Sequence, residues 1–342
     1  MKFNQFGKTG MRVSEIGFGG SRIGGFFAGK DSSSKEALNV LSKALDAGIT
    51  FYDTADMYAQ GESESLMGTA FGRRRDQVIL ATKGGYCLPA RRKLITRIKP
   101  FVRPFVRALR LKRARLPAGA SGTLSQDFSP PYLTQALEGS LRRLQTDYVD
   151  LYQLHSPGAS FMQTDAFGEA LLTLEKLKAQ GKLRFYGVAT EEPADVPFCL
   201  SAPNISSVQL GFGLLDPDAL DQGTLAAAGA RGLAIIARGC FGGGLLKDGL
   251  DETELKSITT KWQRILALRA LSNKAGRGVL ENAYQFCRST PAVSVTLLGM
   301  RVENHLRDNL RFVQAPPLRD EEYAALRDLA KIDANTAAPA LQ

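Results

Sequence analysis

The chain has 342 residues, 44% of them hydrophobic, and carries a formal net charge of +10. That length and apolar content are enough for one large α/β domain, and no run approaches the ~18 apolar residues that a membrane span requires. Four cysteines (Cys87, Cys199, Cys240, Cys287) stand singly and only two histidines are present, which speaks against a disulfide frame or a zinc site, so no metal site is expected. The opening MKFNQFGKTG has no apolar core of signal-peptide length, and a cytoplasmic protein is expected.

Along the chain, strand-like runs alternate with helix-like segments: SEIGF, ITFYD, VILATK, YVDLYQL, LRFYGVA, SVQLG, GLAIIAR and VSVTLL. Between them, stretches such as SKEALNVLSKALDAG and TDAFGEALLTLEKLKAQG place apolar residues three and four apart and end in Gly, the pattern of a capped amphipathic helix. Eight such alternations predict a (β/α)8 TIM barrel over residues 1–332 as a single domain, with 333–342 as a flexible tail. A doubly wound sheet is the alternative, but the glycine-rich GFGGSRIGG after the first run does not match GxGxxG before a helix. In a barrel enzyme that loop lies beside the ligand, which makes Gly19 and Gly20 candidate contacts; Ile23, Phe26 and Phe27 within it, with Met57 further on, suggest an apolar rim.

The second run ends in Asp53, with Tyr58 five residues on in the loop GITFYDTADMYAQGESE. The third run ends in Lys83 and the fourth in His155. In a parallel α/β fold the carboxyl ends of the strands share one rim, so an acid, a phenol, an amine and an imidazole can meet there. Any one of them alone is more often a structural ion pair or a hydrogen-bonded core residue. Cys87 and Cys240 lie just past strand ends and could line the site, but reduced thiols in packing roles are the favoured reading.

The basicity belongs to one segment. Residues 77–126 hold no Asp or Glu, and 91–115 carry eleven Lys or Arg, more than the whole excess. Placed on a helical wheel, Leu94, Ile95, Ile98, Phe101, Val102, Phe105, Val106 and Leu109 fall within roughly 140°, with the cations around the remainder. Pro100 and Pro104 predict a kink or two short helices. An insertion over 88–126 with an apolar face and a cationic back suits an anionic membrane surface, which would make the protein membrane-peripheral, or an acidic protein partner; solvated arginines over a packed face are the plain alternative. Nucleic acid is not expected, since the segment offers few aromatic platforms. Two other additions stand out, Leu245 to Ala275 with the single tryptophan, Trp262, and the late amphipathic LRDEEYAALRDLA.

The opening FGKTGMRVSEIGFGG, GITFYDTADMY, SLRRLQTDYVDLYQLH and LLGMRVENHLRDNL, in this order and spacing, resemble the aldo-keto reductases. The resemblance implies a catalytic tetrad of Asp53, Tyr58, Lys83 and His155, and NADPH bound across the barrel mouth in preference to NADH. It places the nicotinamide carboxamide at Gln209 and the adenosine end at Gly299, Arg301, His305 and Asn309, with Arg301 meeting a 2′-phosphate. Two departures are visible. Where the family commonly has GVSN this chain has Gly187, Val188, Ala189 and Thr190, and the aromatic residue that stacks on the nicotinamide is replaced by Arg238, whose guanidinium can also stack.

The chemistry agrees with that reading. A free phenol, with a pKa near ~10, is a poor acid at neutral pH unless a cation stabilises its phenolate. Lys83 supplies one, Asp53 holds the ammonium, and His155 can orient a substrate oxygen, so that Tyr58 delivers a proton to a reduced carbonyl. No side chain donates hydride, so a nicotinamide cofactor is required. The expected function is NADPH-dependent reduction of a small-molecule aldehyde or ketone, with the rim favouring a bulky or apolar one, or the reverse oxidation. A cofactor-binding regulatory or scaffold protein is one alternative, and a barrel lyase or isomerase using Lys83 as a Schiff-base amine is another.

Overall fold

The computed structural model describes residues 1–24, 33–87 and 125–331. Two short antiparallel strands, β1 (Phe3–Gln5) and β2 (Arg12–Ser14), come first. The barrel strands β3 (Ile16–Gly19), β4 (Phe51–Asp53) and β5 (Ile79–Gly84) follow, then a second small hairpin of β6 (Tyr86–Cys87) and β7 (Ser125–Gln126). The remaining barrel strands are β8 (Val149–His155), β9 (Leu183–Ala189), β10 (Ser207–Gly211), β11 (Ala234–Arg238) and β12 (Val293–Gly299). The eight pair in parallel, in chain order, and β12 closes on β3 through Gly299 and Gly19. All eight predicted runs are therefore strands of one closed barrel.

The period of two along each strand decides what faces the axis. Phe51, Ala81, Leu151, Ala234, Ile236, Val295 and Leu297 form an inner core, whereas Tyr52, Leu80, Tyr152, Leu154 and Ile235 pack outward against the helices. Phe6, Met11 and Val13 of the first hairpin complete the inner core, and Lys8 N–H bonds Gly232 O at 2.9 Å beside the start of β11, so the hairpin seals the amino end of the barrel. Among the described residues this leaves the opposite rim for ligands.

The outer helices form for the reasons read in the sequence. Ser33 caps the helix Ser34–Asp46 by accepting from Glu36 N–H at 3.1 Å, and Ala37, Val40, Leu41, Ala44 and Leu45 make its buried stripe. Prolines begin the helix Pro130–Leu144, whose Leu133, Leu137, Leu141 and Leu144 face the sheet, each stabilising by about 1.5–3 kcal/mol on full burial. The late segment forms the helix Asp320–Ala330, and Leu245 to Ala275 contains the helices Glu252–Ile258 and Trp262–Ala275, joined by Lys256 lying 4.3 Å over the Trp262 ring. Among the described residues no helix is long and apolar enough to cross a membrane.

The helical reading of 91–115, Phe26 and Phe27, and the tail from 333 lie outside the described residues. The ends of the basic insertion are placed: Tyr86 pairs with Gln126 and Cys87 with Ser125, and Gln126 Nε2 donates to His155 O and Ser156 O, each at 2.9 Å. The insertion leaves and re-enters at the carboxyl rim beside His155. One expectation is corrected, and the packing reading of one cysteine is met. Ile23 is 1% exposed and belongs to the core rather than to an apolar rim. Cys240 is 2% exposed, its thiol pushed up by burial and by Cys287, because the loop after β11 folds back onto the helix Val279–Arg288.

Candidate active site

The carboxyl ends of β4, β5, β8 and β10 bring polar side chains to a common point inside the barrel mouth. Lys83 Nζ donates to Asp53 Oδ2 at 2.6 Å and to Thr54 O at 2.9 Å. Asp53 Oδ1 accepts from Gln209 Nε2 at 2.9 Å and, more weakly, from Gln153 Nε2 at 3.4 Å. Lys83 and Asp53 are 0% and 3% exposed, so the pair survives out of water only because its remaining hydrogen-bonding capacity is met. Burial opposes the charge on Lys83, but Asp53 and Tyr58 outweigh it, and the amine holds its proton more tightly than a free lysine.

Tyr58 is half-buried, with Lys83 Nζ 5.1 Å from its ring centroid. Its ring meets His155 edge-on at 5.7 Å, and Tyr86 meets the same imidazole edge-on at 4.9 Å. Burial first, then Lys83 and Arg238, lower the His155 pKa to about 3, and Nδ1 is buried without a partner. The imidazole is thus neutral at physiological pH and can donate or accept one hydrogen bond without adding charge. Directly after Tyr58 the backbone is left-handed at two non-glycine residues, Ala59 (φ 50°) and Gln60 (φ 61°), before Gly61 at φ 86°. Such turns cost of order 1–2 kcal/mol per residue and persist where surrounding structure imposes them. Here Tyr58 N–H bonds Ala55 O at 3.1 Å and Gln60 N–H bonds Met57 O at 3.0 Å, fixing the loop that presents the phenol.

At the rim formed by β12 and the helix Glu303–Gln314, Gly299 is exposed, Arg301 and His305 are half-buried and Asn309 is 3% exposed. Arg301 Nε and Asn309 Nδ2 are buried donors with no protein partner. His305 has its pKa lowered by burial and by Lys247, Arg301 and Arg22, only partly offset by Asp308, which marks a concentration of cations there. Orphaned donors and clustered cations fit a phosphate-bearing ligand. Gln209 has its amide nitrogen committed to Asp53, leaving its carbonyl oxygen to meet a carboxamide.

Other cofactor candidates are placed differently. A Cβ on Gly20 would come within 2.7 Å of Met67 Cε and 2.9 Å of Asp53 O, so its glycine is required by packing; at Gly19 the nearest atom is Leu298 O at 3.3 Å. Arg238 Nη2 donates to Thr190 O at 2.9 Å and to Glu191 Oε2 at 2.8 Å, while Ser156 Oγ holds the other Glu191 oxygen at 2.7 Å. Thr190 is buried, with its hydroxyl on Gln209 O at 3.4 Å rather than directed to the mouth. Sequence reading missed Gln153, Tyr86 and Glu191. Gln153 carried a signal, since it lies two residues before His155 and so shares its inward face.

The sequence model of the Aldo/keto reductase family matches residues 15–331. The chain belongs to the aldo/keto reductase family. This aldo/keto reductase is 28% identical over 341 residues to the "Uncharacterized oxidoreductase YqkF" of Bacillus subtilis (strain 168), covering 97% of this chain and 98% of that one. It is similar in structure to the holo form of aldo-keto reductase AKR11C1 from Bacillus halodurans, with a TM-score of 0.78, 30% identity and 97% of each chain covered. A further relative is a "Probable voltage-gated potassium channel subunit beta" of Oryza sativa subsp. japonica, 24% identical, covering 94% of each chain. Members of this oxidoreductase family work with nicotinamide cofactors on small carbonyl compounds, and among the described residues no cluster of His, Cys, Asp and Glu could hold a metal ion.

Proposed function

We propose that this aldo/keto reductase uses NADPH to reduce an aldehyde or ketone, or runs the reverse oxidation, with Tyr58 as the proton donor. The observation that carries the reading is the buried Lys83–Asp53 pair directly beneath Tyr58. A bound nicotinamide supplies or takes the hydride. The protein's own residues do the rest. The Lys83 ammonium favours the developing phenolate when Tyr58 releases its proton, Asp53 keeps that ammonium in place, and neutral His155 hydrogen-bonds the carbonyl oxygen and aims it at the phenol. Arg238, clamped by Glu191 and Thr190, offers a guanidinium plane over the mouth where the family has an aromatic ring.

NADPH is preferred to NADH on this reading because Arg301 Nε is a buried donor without a partner among cations that suit a 2′-phosphate. A lyase or isomerase use of Lys83 is disfavoured, since a Schiff-base amine must shed its proton and this one holds it. A regulatory role receives support from one observation, the replacement of the usual nicotinamide contacts by Ala189 and the inward-turned Thr190. The test is a carbonyl panel assayed with NADPH: the parent oxidises it, and Tyr58→Phe loses on the order of 10²-fold or more in kcat while still binding the cofactor. Full turnover by Tyr58→Phe would refute the assignment.

A further inference from the structure

At the barrel mouth a chain of contacts ties the end of β11 to the loops after β8 and β9. Arg238 Nη2 donates to Glu191 Oε2 at 2.8 Å and to Thr190 O at 2.9 Å, and Ser156 Oγ donates to Glu191 Oε1 at 2.7 Å. Ser156 directly follows His155. Its backbone is left-handed, at φ 57°, with Gln126 Nε2 on its carbonyl at 2.9 Å and its own N–H on Ala189 O at 2.7 Å. The Glu191 carboxylate is thus fixed at both oxygens although its side chain is 59% exposed, and it holds a guanidinium that is 34% exposed. Strand parity places that guanidinium. Arg238 lies two residues beyond Ile236, a member of the inner core, and so stands on the same inward face one layer nearer the rim. In the ladder Ile236 pairs with Gln209 and Arg238 with Gly211, which sets Arg238 one layer above Gln209.

A nicotinamide whose carboxamide meets Gln209 and whose hydride reaches a carbonyl held at His155 lies beside Arg238. The oxidised ring is a cation and the reduced ring is neutral. An aromatic side chain attracts a cation through the negative face of its π-system, whereas a guanidinium repels one. An unbalanced Arg238 would therefore favour NADPH over NADP+. Deeper in the mouth Lys83 is matched by Asp53 and His155 is neutral, so the balance of charge beside the ring falls to Glu191. We propose that Glu191 is a positioning residue that acts through Arg238: it holds the guanidinium and offsets its charge, so that the site admits the cationic, oxidised nicotinamide as well as the neutral, reduced one. The inference rests on the reading of the mouth as a nicotinamide site.

The test reads binding and needs no turnover. NADPH affinity is measured by its own fluorescence and NADP+ affinity by displacement of NADPH, in the parent, in Glu191→Gln, and in Glu191→Gln combined with Arg238→Gln. Both side chains are partly exposed, so their charges are screened and the effect is moderate. At low salt the ratio Kd(NADP+)/Kd(NADPH) should rise roughly threefold to tenfold in Glu191→Gln and return to the parent value in the double variant, where neither charge remains. A ratio that does not move in Glu191→Gln, including an equal loss for both forms, leaves the clamp purely structural and overturns the proposal. A rise that persists in the double variant overturns it too, since the effect would not pass through Arg238. A parent that binds neither form refutes the nicotinamide reading and this proposal with it. The expected shift in a protein that reduces no carbonyl upholds the role of Glu191 and refutes the proton-donor reading alone.

Discussion

Burial of neutral His155 predicts a specific acid sensitivity of the fold. The ring is 8% exposed, its pKa is lowered to about 3, and two cations, Lys83 and Arg238, act against its protonation. In the unfolded chain the same imidazole takes a proton near its ordinary value of 6.5. A histidine depressed in the folded state leaves stability intact above pH 6.5 and removes it as pH falls toward 3, because only the unfolded chain gains the proton. Each pH unit in that window costs about 1.4 kcal/mol, so going from pH 6.5 to pH 5 costs about 2 kcal/mol. With an unfolding entropy of about 2.1 cal/mol/K per residue, a chain of this length loses about 3 °C in Tm. Calorimetry of the parent and His155→Gln at pH 7.5 and pH 5 isolates the effect, since the other acids titrate alike in both. The parent should drop about 3 °C further than the variant. Equal drops would show that His155 protonates as freely in the folded protein as in the unfolded chain, refuting a neutral imidazole in the site.

Other expected outcomes follow from single contacts. Arg301→Ala should weaken NADPH far more than NADH in fluorescence titrations, and an equal loss for both would place Arg301 in solvent. Arg143→Ala leaves the fully buried Glu64 without its 2.6 Å cation and should destabilise by about 3–5 kcal/mol in urea unfolding, whereas Glu64→Gln combined with it should recover part of that loss. Because Cys87 and Ser125 are paired, the intervening insertion can be replaced by a short turn without parting β6 from β7. If 91–115 docks on an anionic surface or an acidic partner, removing it should abolish sedimentation with anionic vesicles and change turnover of large carbonyls relative to small ones; no change in either leaves the segment as packing.

The barrel was legible because buried parallel strands read as apolar runs and their helices carry capped 3.6-residue stripes, both local properties. What stayed hidden was set by longer-range contacts. The strands Phe3–Gln5 and Arg12–Ser14 are too short to show a period, and they form a hairpin because Phe6, Met11 and Val13 find an open barrel end to fill. Ile23 and Cys240 lie beside glycine-rich stretches and read as loop residues, yet both are buried in the core.

At the candidate site the same division holds between residues that the strand pattern marks and residues that it does not. Asp53, Lys83 and His155 each interrupt an apolar run at its carboxyl end, so a charged or polar residue where the pattern demands a hydrophobic one was itself the signal. Gln153 obeys the same parity as His155, and extending that rule one step would have found it. Asp56 and Glu64 gave no such sign. An Asp in a loop and a Glu in the first turn of a helix are what solvent-facing positions ordinarily hold, and the sequence does not show that Arg143, arriving from a helix nearly eighty residues later, pairs with a fully buried Glu64. Nor does it show that the chain turns left-handed at Ala59 and Gln60, where no glycine announces the bend. That left-handed turn lies in the short loop that carries Tyr58. Tyr58 sits where local sequence preference and the observed backbone disagree, and strain of that kind persists where surrounding structure imposes it.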